Sequence, residues 1–568
     1  MPFSRRKDLS VAIERLVLLL AQSKVFVSLD LRKNNIRKLS QRRFDVLVLG
    51  AGINGAVSAA ALAARGVRVA LIDRGDFGGG TSSQSSNLAW GGIKYLESGE
   101  LGLVARLCKS RNHLMRSFPS TVKEIRFLTT VQKGFRWPVP ILYIGTLLYW
   151  LIGRFATKAP TALSREGLSR RDPRIRSDKA RGGFEYSDCY LHDNDSRFVF
   201  SFVRTAMNYG AVAANYVGAT AVARRNGRWI VSIRDEVDGL TDEVECDALI
   251  NACGPGVDRV NTMAEIKTRY RHVFSKGVHL MIDRAPDRSR ILAFFASDGR
   301  MFFVIPMGPK TCIGTTDTQV TDSEVVVEDE DRDFILDNAN ELLNLSEPLT
   351  REDIIAERCG VRPLAISGEA HSTDWVELSR KHHVEVNQSD AHISIFGGKL
   401  TDCINVGEEI VRIVAKLGVK FPVGPRRWYG EPDDKVKDEF LVQAKLLGLD
   451  DLADPRSCEP LSERLWRRYG ANAFEMLETV RENPRNAERL LEHAEYLRCE
   501  IEQAGRREMI TKLDDFMRRR SKIGLVVRCR DIIDDPSLRE LCEILFGDQA
   551  DAKLREYLEQ VSLDSVRR

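Results

Sequence analysis

None of the eleven cysteines stands in a C-x-x-C pair or in a Cys/His cluster. That excludes the usual zinc frameworks and points to reduced thiols in a reducing compartment. Internal repeats and low-complexity tracts are also missing, which sets aside solenoids and long disordered linkers. The net charge is only +4 over 568 residues, too little to argue for a nucleic-acid partner. The apolar stretch Pro138–Gly153 falls short of the ~20 residues a membrane span needs, and prolines and glycines interrupt it.

What the chain does contain is length for two or three domains and a strong opening unit. Phe44 to Asp73 reads FDVLVLGAGINGAVSAAALAARGVRVALID. Val46–Leu49 is an apolar run typical of a buried parallel strand. Ala56–Arg65 is Ala-rich and helix-forming, and Val67–Ile72 reads as a second strand. Between them Gly50, Gly52 and Gly55 keep the G-x-G-x-x-G spacing. Gly50 allows the tight turn, Gly52 lets a pyrophosphate approach the backbone, and Gly55 lets helix and strand pack closely. The helix N-terminus then offers free N–H groups to phosphates, and Asp73 closes the second strand where a ribose hydroxyl is bound. This is the pattern of a dinucleotide site.

Upstream, residues 1–43 carry eleven Lys/Arg against three acids. Val11–Leu20 is apolar-rich but interrupted by Glu14 and Arg15, a poor secretory signal. The region reads as a basic amphipathic extension lying on the protein or on a membrane. Downstream, Gly78–Ser86 is a Gly/Ser loop rich in small donors. Pro138–Gly153 is uncharged and flanked by Lys133, Arg136, Arg154 and Lys158. It reads either as a buried core helix or as a shallow, monotopic membrane insertion. Strand-like runs follow at Ala219–Arg224, Trp229–Arg234 and Ala248–Ala252. Residues 277–317 alternate short apolar strands with turns, as an antiparallel sheet does. His392–Phe396 is a further strand running into Gly397-Gly398-Lys399 and a helix. From about Asp433 the chain turns charged and helix-periodic, with Gly418–Pro432 as a linker.

Several of these stretches together resemble the FAD-dependent glycerol-3-phosphate dehydrogenases, within the D-amino-acid-oxidase-like flavoprotein superfamily. The resemblance runs through LVLGAGINGA (47–56), GGTSSQSSNLAWGGIKYLE (79–97), GFEYSDC (183–189), NACGPGV (251–257), CIGTTDT (312–318), GVRPL (360–364) and IFGGKLTD (395–402). REMITKLDDFMRRRSKIGL (507–525) is similar to the family's helical tail. The implied fold is α/β, with three parts. A Rossmann-like FAD-binding domain covers 44–125 and continues at about 183–265 and 385–420. An antiparallel-sheet substrate-binding domain covers 266–384, and a C-terminal α-helical domain 425–568. Residues 126–182 form an apolar, membrane-facing insertion, and 1–43 the basic extension.

The resemblance also implies roles. FAD would be held by Gly50, Gly52, Asn54, Gly55, Asp73, Thr81, Ser82, Ser83, Gly254, Gly397, Gly398, Lys399 and Leu400. The substrate, glycerol 3-phosphate, would be bound by Arg362, Arg380, Tyr95 and Lys94, with His279, Lys399 and Arg362 as the catalytic set. An Arg fork suits a phosphate dianion, and a neutral imidazole suits a hydroxyl proton. No metal is implied. The implied activity is oxidation to dihydroxyacetone phosphate with electrons passed to a quinone, on the cytoplasmic side of the inner membrane. The protein would be peripheral or monotopic there, and a homodimer is compatible with this. Trp90, Lys94, Val278, Asp402, Cys403 and Ile404 depart from the family pattern. Trp90 adds apolar bulk where an imidazole is expected, so a different polyol phosphate or a larger glycerophosphate stays open. So do an oxidoreductase of the same superfamily acting on an amino acid or another hydroxy acid, and a non-catalytic flavoprotein subunit.

Overall fold

The computed structural model describes residues 27–284, 289–296, 298–367, 381–453, 457 and 459–566. The apolar run Val11–Leu20 and Arg380 lie outside them. The first described element, α1 (Val27–Gln41), packs on the protein. Its buried Arg32 pairs with Asp235 at 2.6 Å, and Asn35 donates to the Ala213 carbonyl at 2.9 Å. The described part of the basic extension therefore lies on the chain's own surface.

The opening unit folds as its pattern requires. β1 (Arg43–Leu49) leads into α2 (Ile53–Ala63) and then β2 (Val69–Ile72). α2 is buried along almost its whole length, which its alanines permit. In chain order follow α3 (Leu101–Ser117), β3 (Val122–Gln132), α4 (Val139–Ile152), β4 (Ala180–Leu191), α5 (Asp195–Asn208), β5 (Val212–Ala214) and β6 (Thr241–Asn251). Next come β7 (Tyr270–Ile282), β8 (Lys310–Gly314), β9 (Ile354–Ser367), β10 (His392–Phe396) and α6 (Cys403–Lys416). α7 (Leu461–Tyr469) belongs to the helical tail.

Two sheets divide these strands. The first runs His383–Asn387, β10, β6, β1, β2, β5, with parallel pairing from β10 through to β5. An antiparallel hairpin, Val217–Arg225 with Arg228–Asp235, extends it from β6. The second sheet runs Thr318–Val320, β7, β8, Met301–Met307, Arg290–Phe295, β3, β4, Leu88–Ala89, with β9 paired along β7. It is antiparallel except where Arg290–Phe295 meets β3. The boundary expected at 125/126 runs through β3, and that at 182/183 through β4. Both strands belong to the second sheet, in register from Val122↔Leu191 to Val131↔Gly182, with one shift before Gln132↔Ala180. The apolar helix α4 is thus an excursion between two neighbouring strands.

From Asp434 onward the described chain is helical. This tail is bolted to the first sheet. Arg520 makes a two-pronged contact with Asp76 at 2.8 and 2.9 Å, and Arg519 adds a third bond at 2.9 Å. Burial alone would raise Asp76, but Arg520 and Arg519 hold it below the usual carboxylate range.

Candidate active site

The cradle at the end of β1 is built by glycines whose replacements would collide. Gly50 has φ +91°, and a Cβ there would lie 2.6 Å from the Ala252 carbonyl of the neighbouring strand end. A Cβ on Gly55 would sit 1.8 Å from the Gly50 carbonyl, the close helix–strand approach its motif position predicts. Gly52 is different: its Cβ would meet only Ser82 Oγ, at 3.2 Å. The backbone there faces space, and Ser82 Oγ accepts the Ile53 N–H at 3.0 Å from the start of α2.

Asp73 ends β2 with its oxygens turned back to the loop, accepting from the Ala51 N–H at 2.6 Å and the Gly75 N–H at 2.8 Å. Burial lifts its carboxyl to about 6 in spite of these bonds. Across the cradle, Asn54 Nδ2 donates to the Gly397 carbonyl at 3.0 Å, while its Oδ1 is buried and unpartnered. Gly397 and Gly398 sit at φ +62° and +112°. Those angles are outside helical space, so the helix expected to open there begins later, at Cys403, after a tight turn over Leu400–Asp402. Thr81 donates to the Val361 carbonyl at 2.9 Å and so ties the loop to β9. Ser83 Oγ is turned inward, bonding the Gly79 and Gly80 carbonyls, and its N–H donates to the Gly80 carbonyl at 3.0 Å, so this serine braces the loop. Gly254, at φ +55°, follows the end of β6. Helix-end donors, open backbone at Gly52, an unmet acceptor and a strand-end carboxylate are the groups a dinucleotide needs.

Opposite the cradle, β7, β8 and β9 bring two sequence-predicted residues together. His279 is paired with Gly314 in the ladder, and Arg362 Nη2 donates to Thr315 Oγ1 at 3.0 Å. Arg362 also meets Asp317 at 3.3 Å and keeps a quarter of its side chain exposed. A Cβ on Gly277 would lie 2.2 Å from the Arg362 guanidinium, so this glycine clears the space the arginine occupies. His279 is buried, with Nε2 2.9 Å from Ser86 Oγ and Nδ1 unpartnered. Burial, then Arg362 and Arg358, pull its imidazole down to about 3, so it is neutral near pH 7.

Lys399 Nζ donates to the Tyr95 hydroxyl at 2.6 Å and lies 5.9 Å from the Trp90 ring. Lys94 is on the same short turn as Tyr95, Ile93–Leu96. Leu400 packs against the core of the first sheet.

Three contributors escape sequence reasoning. Ser86 touches His279. Arg358 bonds the Ser85 carbonyl at 2.7 Å and Asn87 Oδ1 at 2.9 Å, fixing the loop that carries Ser86. Gly277 makes room for Arg362. Of the three, only Arg358 leaves a signal in the sequence, since the two-residue strand period puts it on the same face as Arg362.

α4 settles one alternative. Thr146 and Tyr149 are buried, whereas Ile141, Ile144, Leu147, Leu148 and Leu151 are exposed, Ile144 by 63%. It is not a core helix. Among the described residues no helix is long and apolar enough to cross a membrane.

The family of FAD-dependent oxidoreductases matches residues 45–378, and the C-terminal domain of alpha-glycerophosphate oxidase matches residues 453–532. The chain is 30% identical over 523 residues to glycerol-3-phosphate dehydrogenase 2 of Mycobacterium bovis, covering 90% of this chain and 85% of the relative. It is 29% identical to the aerobic glycerol-3-phosphate dehydrogenase of Staphylococcus epidermidis, covering 89% and 91%. A crystal structure of the Bacillus halodurans glycerol-3-phosphate dehydrogenase with FAD superposes with a TM-score of 0.70 at 25% identity, covering 93% of this chain and 96% of that one.

Proposed function

The chain belongs to the FAD-dependent oxidoreductase family, and from that premise we propose that it oxidises sn-glycerol 3-phosphate to dihydroxyacetone phosphate, with a quinone as final acceptor. FAD, when bound, supplies the acceptor for the hydride leaving C2. Gly50, Gly52, Gly55 and the first amides of α2 would hold its phosphates, Asp73 its ribose, and the Gly397–Leu400 turn with Asn54 its ring end.

The observation carrying this reading is that His279 pairs with Gly314 while Arg362 bonds the next residue, Thr315. A guanidinium fork receives the substrate phosphate, and an uncharged imidazole a few residues away receives the C2 hydroxyl proton. The two are coupled. Arg362 helps to depress His279, so a phosphate dianion on Arg362 offsets that charge and makes the imidazole more basic once substrate is bound. Ser86 holds the ring's Nε2 side. Lys399 and Tyr95 form the remaining wall, and their bond keeps the ammonium in place.

The exposed face of α4 supports docking on a membrane surface, where a quinone would be reached. At 14 residues the helix is too short to span and suits insertion parallel to the surface.

Anaerobic mixing with candidate substrates, followed by the oxidised-flavin absorbance, tests the assignment. Glycerol 3-phosphate should bleach the flavin far faster than glycerol. Equal, slow bleaching by both, with rapid bleaching by an amino acid or another hydroxy acid, would show that Trp90 and Lys94 have redirected the site.

A further inference from the structure

A cavity of about 100 Å³ lies between α5, the linker around Tyr429–Pro432 and α7. One water needs only about 10–15 Å³, so a small oxyanion fits. Arg197, Ser201, Arg204 and Thr205 reach it from one face of α5, following the three- and four-residue helical spacing. Most charges here are matched. Arg197 pairs with Glu508, and Arg467 and Arg468 share Asp193.

Arg204 is the exception. Among the described residues it makes no hydrogen bond and no ion pair, and its Nη1 is buried. The indole Nε1 of Trp466, which also lines the cavity, is likewise buried without a partner. Both unmet groups are donors, so what the cavity lacks is an acceptor. Burial and Arg197 lower the Arg204 guanidinium to about 10, which still leaves it charged near pH 7. The Glu431 carboxyl lines the same space, where it accepts the Ser120 N–H at 2.8 Å; burial raises it, and the Ser120 bonds and Lys437 work against that.

We propose that this cavity binds a small oxyanion such as inorganic phosphate, held by Arg204 and the Trp466 indole N–H. The ligand would bridge α5, which packs on the cofactor-binding helix α2, to the helical tail. Its occupancy would then strengthen the joint between the two domains.

The test is thermal melting of the FAD-loaded full chain in phosphate against chloride at matched ionic strength. Phosphate should raise the melting temperature saturably, by at least about 1 °C at a hundredfold excess over Kd. Arg362→Ala, which removes the substrate anchor, should keep the shift, and Arg204→Met should lose it. Trp466→Phe should weaken the apparent phosphate affinity severalfold, and it covers the case in which Arg204→Met does not fold. No shift beyond chloride in the unaltered chain overturns the site. So does a shift kept in both Arg204→Met and Trp466→Phe, or one that vanishes in Arg362→Ala alone.

Discussion

Tyr149, buried on the inner face of an apolar helix whose outer face is exposed, donates its hydroxyl to Asp188 at 2.6 Å. Asp188 in turn accepts the Gly91 N–H at 3.2 Å and pairs with Arg111 at 3.3 Å. Gly91 follows Trp90, whose own N–H donates to Thr401 Oγ1 at 3.1 Å beside the Lys399 turn. One hydroxyl therefore connects the apolar helix to the loop that carries Trp90 and Tyr95.

Removing that hydroxyl as Tyr149→Phe leaves a buried carboxylate short of a donor. The expected cost is about 1–3 kcal/mol, read as a lower melting temperature. Because Gly91 is repositioned with it, the apparent KM for glycerol 3-phosphate should also rise. An unchanged KM would make the contact purely structural.

Changing Ile144, Leu147, Leu148 and Leu151 to Ser should abolish sedimentation with anionic vesicles while leaving flavin reduction in solution intact. If the unaltered protein stays in the supernatant at low salt, α4 does not dock on lipid.

Gly52→Val should give a folded protein that does not retain FAD. Its Cβ would meet nothing but the Ser82 hydroxyl, at 3.2 Å, a contact that a small shift of that side chain relieves, whereas the pyrophosphate approach is blocked. A yellow, fully loaded variant sinks the assignment of this loop.

Arg362→Lys should lose about ten- to a hundredfold in substrate affinity, because an ammonium does not reproduce the fork and one charge-assisted bond is worth roughly 1.5–3 kcal/mol. FAD content should be unchanged. Affinity can be read from the concentration dependence of anaerobic flavin reduction, and a wild-type value would remove Arg362 from the site.

His382 gives a pH prediction. It lies 3.1 Å from Asp402 and 2.9 Å from Glu409, which raise it to about 9 against the effect of burial. A folded-state value above the unfolded ~6.5 stabilises fully below pH 6.5, and that contribution is lost as pH rises through 9. It amounts to about 3 kcal/mol at most. His382→Gln should therefore lower the melting temperature strongly at pH 6 and little at pH 10. An equal effect at both values would contradict the ion pair.

How much of this was legible in the sequence depends on how local each cause is. Gly50, Gly52, Gly55 and Asp73 act within one strand–helix–strand unit, so their spacing reveals them. Arg362 and His279 stood out through flanking motifs, but their shared position beside Gly314–Thr315 is a matter of strand register. Register between strands tens of residues apart is set by tertiary packing. Ser86 and Gly277 matter only through such contacts. For the same reason β3 and β4 were divided between other units, since nothing within either strand names its partner. The face α4 exposes turns on Tyr149 reaching Asp188, which hydropathy does not register.

The clasp of Arg519 and Arg520 on Asp76 has a consequence for how the protein is made. Asp76 and Arg520 are separated by 444 residues, so at roughly 5–20 residues per second the carboxylate leaves the ribosome some 20–90 s before its partners exist. A buried charge without its counterion costs on the order of 3–5 kcal/mol. The turn beside Asp73 therefore gains its two counterions only when the helical tail has been made, and a chain cut before Arg519 would leave Asp76 without them.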